Sequence, residues 1–526
     1  MRVGIGQIDS LTGGIERNAE AIIGRIDEAR AKDCDLVVFP EFAVPGRLLL
    51  DLVWRPGFVE KCESAVDRIR QGSSEIAVVV GSIAPATPGA SRLCSCAYVI
   101  EDTSVVARID SVHVPPVSIA EESRYFTPCP GTQTVDVAGR RIGVTLGEAL
   151  GCDVESVDVL ASLGAECVIH TAASPFRVGC SRARRRLACE CAKENEVRIV
   201  YANGVGGVDG VVFDGGSFAV DQTGVLVFQA PRFEEGLYVL DGDSAAPIAE
   251  PTEEALSEIR AAIVCGIHDY VVKNGFSSVI VGLSGGIDSA LVTTLAVEAL
   301  GPDTVTGIYL PCEHSSRESA SDAQTIASNL GIEFLEVPAG DVHSALCDAL
   351  PFDATGIVDE NLQARARAAL WMAVANERNA LVLATGNKSE IAVGYCTLYG
   401  DTTGALAPIA DLYKSDVYRL AERFADRIPR SVLDKAPSAE LRPNQRDADD
   451  LPPYDVLDDL LNALIDENAS RAQLIERGFR EELVDDIAKR FYASEFKRRQ
   501  LPPGIVLSTR PLGGGRRMPM THVYRD

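Results

Sequence analysis

Apolar and polar positions divide the chain into two stretches with different rhythms. In the first, short apolar runs at 36–39, 76–80, 94–100, 142–146, 167–170, 199–202 and 224–229 alternate with segments of helical periodicity, and several are bounded by Gly, Pro or Asn. The opening Met-Arg-Val-Gly-Ile-Gly adds another strand pattern. Runs this short, flanked by turn residues and interleaved with helices, predict an α/β sandwich built on two sheets. In the second stretch, apolar runs at 279–283, 304–310, 332–337 and 380–385 alternate with helical patterns at 255–274, 290–300, 319–330 and 360–378. That is the βαβ rhythm of a doubly wound parallel sheet. Between them, residues 243–254 form an Ala/Pro/acid-rich stretch expected to be an extended linker. The expected organisation is a domain at 1–242, a linker at 243–254 and a domain at 255–526.

Composition narrows the function classes. With 526 residues and 46% apolar positions, the chain fills more than one ordinary core. Lys and Arg total 50 against 76 Asp and Glu, a formal charge of −26. Such a surface repels nucleic-acid backbones and anionic membranes, which favours a small-molecule enzyme whose cations gather locally at an anionic substrate. No apolar run approaches a membrane span and no signal peptide is evident, so the expected location is the cytoplasm. The 14 cysteines include Cys94/Cys96 and Cys189/Cys191, whose spacing is not that of a zinc site, and reduced thiols are expected throughout.

The densest chemistry begins at Ser284-Gly285-Gly286-Ile287-Asp288-Ser289, between an apolar strand and a helix. Strand, glycine turn and helix N-terminus together make an anion cradle: glycines let backbone N–H groups approach a phosphate and the helix dipole adds to the attraction. Ser284 and Ser289 offer hydroxyls, and Asp288 offers a hard oxygen for Mg²⁺. The Gly-Lys-Ser/Thr ending of a Walker loop is missing. In this reading a buried carboxylate at 288 has no obvious partner other than a metal.

Further along come Asp359 to Arg367, then Thr385-Gly386-Asn387-Lys388-Ser389-Glu390, then Gly394 to Asp401. They are followed by Asp411-Leu412-Tyr413-Lys414-Ser415, Ala436 to Gln445, and Phe496-Lys497-Arg498-Arg499. In this order the series resembles the NAD⁺ synthetase domain, an adenine nucleotide alpha hydrolase-like fold of the N-type ATP pyrophosphatases. The resemblance implies that the nicotinate carboxylate of deamido-NAD⁺ attacks the α-phosphorus of ATP, after which ammonia displaces AMP. It implies ATP contacts at Gly282, Leu283, Ser284, Gly285, Gly286, Ile287, Asp288, Ser289, Thr385, Lys414 and Ser438. Deamido-NAD⁺ is expected at Arg365, Glu390, Tyr395, Thr397 and Lys497, and Mg²⁺ at Asp288 and Glu390. Asp288, Lys414 and Asp401 are the expected catalytic groups. Some have plainer alternatives: Thr385 could cap a turn, Arg365 could be solvated helix surface, and Glu390 could simply favour a helix start.

The first half resembles the nitrilase-like amidase, an α/β/β/α sandwich, that is fused to the synthetase in glutamine-dependent NAD⁺ synthetases. The match rests on Leu36 to Phe42, Ala172 to Phe176, Asn203 to Gly207 and Val212 to Ser217. Such amidases use a Glu base, a Lys that stabilises the oxyanion and a Cys nucleophile. Glu41 is present, but Ser111 stands at the lysine position and Gly147 at the cysteine position. Cys152 lies five residues past Gly147, and Cys180 is an isolated thiol. The expectation is a catalytically silent amidase-like domain on an ammonia-using synthetase, with ATP as co-substrate and a separate glutaminase as a possible ammonia donor. The alternatives are a glutamine-dependent enzyme with a rearranged site and a non-catalytic nucleotide-binding regulator. The resemblance also implies a homo-oligomer, at least a dimer.

Overall fold

The computed structural model describes residues 1–523 apart from 88, 91, 116–120, 130, 148–149, 151–153, 243–244, 253 and 514. The chain forms two compact units, Met1–Ala255 and Leu256–Asp526.

In the first unit two six-stranded sheets face each other. One runs in the order Gly236–Leu240, Val3–Gln7, Leu36–Val38, Ala77–Pro85, Leu93–Glu101, Ser104–Asp110. The other runs Leu226–Gln229, Phe218–Val220, Arg198–Asn203, Cys167–Ala172, Arg140–Gly147, Thr134–Val137. Period-two alternation explains the layers. Val3 and Ile5, Leu36 and Val38, Ala77 and Val79 from one sheet meet Ile142, Val144 and Leu146, Cys167 and Ile169 from the other in one buried cluster. The intervening residues of the second sheet, including Val168, Ile199 and Tyr201, pack outward on helices Val154–Ser162 and Cys180–Asn195. The first sheet is covered by Ile15–Ala31 and Phe58–Gln71, which bury Ile22, Ile26, Cys62 and Ala65. The sandwich is therefore α/β/β/α. Within the stretch expected as an extended linker, the Ile248 N–H donates to the Leu226 carbonyl at 3.0 Å.

One expectation about cysteines is corrected. The Leu93 carbonyl accepts from Thr127 N–H and the Ser111 carbonyl accepts from Cys129 N–H. These bonds lay the 127–129 segment beside the strand that starts at Leu93, and Cys94 and Cys129 are joined as a disulfide with Cα atoms 6.7 Å apart. Eleven other described cysteines are free thiols, and Cys152 lies outside the described residues.

The second unit holds a four-stranded, wholly parallel sheet in the order Glu333–Glu336, Val305–Tyr309, Val279–Gly282, Leu381–Leu383. Successive strands first extend to one side of Val279–Gly282, and the fourth then returns to its other side. The order thus reverses between Val279–Gly282 and Leu381–Leu383, and in open α/β sheets a ligand crevice opens beyond the strand ends at such a switch point. After the sheet, a helical subdomain has its own core of Leu457, Leu460, Leu461, Leu464, Val484, Ile487 and Phe491. Its helix Tyr454–Leu461 continues as a π-helical turn over Asn462–Asp466. No described helix is long and apolar enough to cross a membrane.

Candidate active site

Both segments at the switch point carry site residues. Past Val279–Gly282 the chain turns through Ser284 and Gly285 into helix Ile287–Leu300. Gly285 has φ +78°, and a Cβ there would stand 2.4 Å from the Ser319 carbonyl oxygen, so only glycine fits. The hydroxyls brace the turn. Ser289 Oγ donates to the Gly286 carbonyl at 2.9 Å and accepts from Ser284 N–H, while Ser284 Oγ accepts from Gly286 N–H. Past Leu381–Leu383 comes Thr385, and then helix Lys388–Val393, started by a reciprocal cap between Asn387 and Glu390.

The two segments are clamped together by charge. Lys414 Nζ lies 2.5 Å from Asp288 and 3.1 Å from Glu390, and Asn387 donates to the other Asp288 oxygen at 2.9 Å. The expectation that Asp288 lacks a partner is thereby corrected: its partners stand 99 and 126 residues away, beyond the reach of local sequence. Lys414 is held from behind. Its N–H donates to Ser389 Oγ, Ser389 donates to Asp458, and the second Asp458 oxygen accepts from Ser415 N–H. Fully buried Lys388 braces the same helix against Asp411 at 2.9 Å and Asp466 at 3.0 Å.

Burial disfavours charge on Lys414, but Asp288 and Glu390 outweigh it and the amine holds its proton more tightly than usual. Glu390 moves up, to about 7, because burial and the neighbouring Asp288 overcome the pull of Lys414. Two carboxylates share one lysine here, and one of them resists ionisation.

A single cleft of about 430 Å³ gathers most of the expected residues. Gly282, Leu283, Ser284, Gly286, Ile287, Asp288 and Ser289 line it, with Thr385, Glu390, Tyr395, Thr397, Asp401, Lys414, Ser438 and Lys497. Gly285 is not among its lining residues. Arg365 is an exposed exception, with Nε donating to the Leu398 carbonyl at 3.2 Å, and it does not line the cleft. Lys497 Nζ donates to the Gly394 and Cys396 carbonyls, both at 2.7 Å, and so also pins the loop that carries Tyr395. Asp401 accepts from Thr397 N–H at 2.7 Å.

Sequence reasoning missed Arg367, Lys435 and Asp447, which line the same cleft, and Asn387, which holds Asp288. Arg367, Asn387 and Lys435 lie in or beside motifs already singled out, so a signal existed; Asp447, two residues past the 436–445 motif, had none. The expected local excess of cations is not found. Arg367, Lys414, Lys435 and Lys497 face Asp288, Glu360, Glu390, Asp401, Glu440 and Asp447. A nucleotide triphosphate would enter an acid-rich cleft. The paired oxygens of Asp288 and Glu390, short of positive charge, are a donor set that suits Mg²⁺.

One pH effect follows. Folded Glu390 holds its proton up to about pH 7 while an ordinary glutamate loses it near 4.5, so the folded chain binds more protons across that window. This group's contribution to stability is full below the lower value and is lost as pH rises through the higher one. Glu390→Gln should therefore melt progressively higher than the wild type as pH rises through that window. Thermal melts of both proteins across the range check it; a constant Tm difference would show that Glu390 does not titrate there.

In the first unit, Glu41 is buried and accepts from Ser95 Oγ at 2.5 Å. Ser111 is also buried; its N–H donates to the Ser95 carbonyl at 2.8 Å and its Oγ to the His113 carbonyl at 2.6 Å. Glu41 and Ser111 are thus linked through one residue. Gly147 ends its strand at φ +142°, and a Cβ built on it meets nothing within 4 Å among the described residues. Cys180 is the first residue of helix Cys180–Asn195.

Comparison with known proteins accounts for both units. A carbon-nitrogen hydrolase model matches residues 2–246 and an NAD synthase model matches 259–502. The glutamine-dependent NAD(+) synthetase of a Synechocystis strain is 39% identical, covering 99% of each chain. The chain belongs to the two-domain NAD⁺ synthetase family. The family member from Thermotoga maritima is 34% identical over 100% of this chain and 99% of its own. A solved glutamine-dependent NAD⁺ synthetase from Acinetobacter baumannii, in complex with ADP, superposes with a TM-score of 0.79 at 33% identity, covering 99% of this chain and 98% of that one.

Proposed function

We propose that this protein makes NAD⁺ from deamido-NAD⁺ and ATP, with ammonia as the nitrogen donor. The observation that carries the reading is the convergence of the glycine turn, Asp288, Glu390 and Lys414 on one cleft at the switch point of the sheet. A nicotinate carboxylate oxygen attacks the α-phosphorus of ATP, the bond to the bridging oxygen breaks, and pyrophosphate leaves. The acyl-adenylate then receives ammonia at its carbonyl carbon and expels AMP, leaving the amide. The turn N–H groups and the start of helix Ile287–Leu300 hold phosphate oxygens. Lys414 faces charge that develops on the phosphates, with Lys435 and Arg367 as further cations of the cleft wall. Asp288 and Glu390 would hold Mg²⁺, which supplies neutralisation of phosphate charge when bound.

The nitrogen source rests on the first unit. Glycine at 147 offers no thiol and serine at 111 no cation, so a thiolate attack on glutamine has neither nucleophile nor oxyanion stabiliser there. A second reading has support in the relatives, which align over the full chain and are named glutamine-dependent. In it, a displaced cysteine such as Cys180 takes the role of nucleophile.

One assay separates the two. Purified protein should form NAD⁺ with ammonium and not with glutamine, at a rate that rises with pH as NH₃ replaces NH₄⁺. Efficient glutamine-supported synthesis, lost in Cys180→Ser or Cys152→Ser, would establish the second reading and leave the synthetase chemistry standing.

A further inference from the structure

We propose that His343, Cys347 and Asp359 form a binding site for a divalent cation of the zinc class, separate from the nucleotide cleft. His343 and Cys347 stand four residues apart on helix Gly340–Asp348, and so share one face. Asp359 lies in the first turn of helix Ile357–Arg378, which packs beside it. The three donor atoms converge. His343 Nε2 is 2.8 Å from Asp359 Oδ1 and 3.4 Å from Cys347 Sγ, and the sulfur lies 4.0 Å from the same carboxylate oxygen. Zinc–sulfur and zinc–nitrogen bond lengths put the edges of a tetrahedral set at roughly 3.3–3.6 Å, so each observed edge lies within about half an ångström of a coordinated triad.

Hydrogen bonds already gather the three groups on one point: the His343 ring nitrogen faces Asp359 Oδ1, and the Cys347 thiol can share its proton with that nitrogen or that oxygen. A cation in the middle satisfies all three, with nitrogen lone pair, thiolate and carboxylate pointing inward. The group around the triad also has the form of a ligand shell. Gln363 Nε2 donates to the second Asp359 oxygen at 2.8 Å and fixes the carboxylate's orientation. Gln363 is itself buried and anchored through a second bond to the Leu441 carbonyl at 3.0 Å. Outer partners of this kind orient metal-bound carboxylates. Side-chain exposure of 16% at His343 and 27% at Asp359 gives an ion access from solvent and leaves the fourth position to water.

Such a site would staple two helices at a place that matters to the cleft. Glu360 and Asn361, the two residues after Asp359, line the nucleotide cleft, and Asn361 accepts from the Thr397 hydroxyl at 2.7 Å. A bound cation would hold the first turn of that helix in register with its neighbour.

The test uses the full-length protein and Co²⁺ as a spectroscopic probe for Zn²⁺. Cobalt bound at this triad should show a thiolate-to-metal charge-transfer band, displaced by one equivalent of Zn²⁺. Cys347→Ser should abolish the band and His343→Gln, which removes a direct ligand, should weaken binding by at least about 10–100-fold, the loss that follows removal of an outer partner alone. Cys94→Ser should keep the band, which excludes the Cys94, Asp110 and Cys129 cluster of the first unit. Asp288→Asn should also keep it, since the carboxylates of the nucleotide cleft carry no sulfur. Circular dichroism of each variant separates lost binding from lost fold, and the two ligand substitutions, on different side chains, guard against a single folding defect. Absence of a charge-transfer band in the folded wild type, or a band that survives Cys347→Ser, overturns the proposal.

Discussion

Lys414→Met is expected to cut NAD⁺ formation by about 10²–10³-fold, the range found when one pre-aligned charge partner of a transition state is removed. The same change leaves Asp288 and Glu390 facing each other without the cation they share. Removing one member of a buried ionic group costs about 3–5 kcal/mol of stability, so the variant should also melt lower. The two effects can be pulled apart. Adding Glu390→Gln removes one of the opposed carboxylates and should recover most of the lost Tm while activity stays low. Steady-state turnover at saturating ATP and deamido-NAD⁺, with melting curves on both variants, decides the matter. Turnover of Lys414→Met within tenfold of the wild type would place the catalytic charge elsewhere.

The second large effect is a gain. The wild type should take up no glutamine-analogue electrophile on residues 2–246, whereas Gly147→Cys combined with Ser111→Lys should be labelled once per chain and should gain glutamine-supported NAD⁺ synthesis. Among the described residues a Cβ at 147 meets nothing within 4 Å, which leaves space for a thiol on that side. The cost is conformational: a side chain at φ +142° is strained by about 1–3 kcal/mol, which surrounding structure can tolerate at a functional strand end. Glu41 and its Ser95 contact are already in place, two hydrogen bonds from Ser111. Intact-mass analysis reads the result. A folded double variant that takes no label would mean that more of the pocket than two side chains has been rebuilt.

What could be read from sequence follows from how far each signal extends. Strands that contribute to both faces of a layer, such as Cys167–Ala172 and Arg198–Asn203, are fully buried and show as apolar runs. Ser104–Asp110 is an edge strand with exposed Ser104, Val105 and Val106 and no such run, and Thr134–Val137 is only four residues long; neither was foreseen. The same contrast holds at the cleft. The glycine turn is local and was legible, as was the place of Glu390 at a helix start; the reciprocal cap between Asn387 and Glu390 is just as local but was missed. The pairings that set the electrostatics span long loops: Lys414 with Asp288, Lys388 with Asp466, Lys435 with Ser319. No local pattern encodes them, and the excess of carboxylates in the cleft emerges only when they are assembled. The Cys94–Cys129 link joins residues 35 apart and was invisible for the same reason.

The π-helical turn at Asn462–Asp466 sets the phase of the chain that bears on Lys388. A π turn holds one residue more than the α turn it replaces, so everything past it is rotated by about 100° relative to an uninterrupted helix. Asp466 closes that turn and receives both Lys388 and the Tyr413 hydroxyl, the latter at 2.6 Å. The extra residue thus acts as a phase shifter: shorten the turn by one and the carboxylate swings round the helix barrel, away from both partners. Lengths in this segment are then under a counting constraint, where substitutions that preserve spacing are tolerated far better than any single-residue deletion, even though the segment never touches the nucleotide cleft.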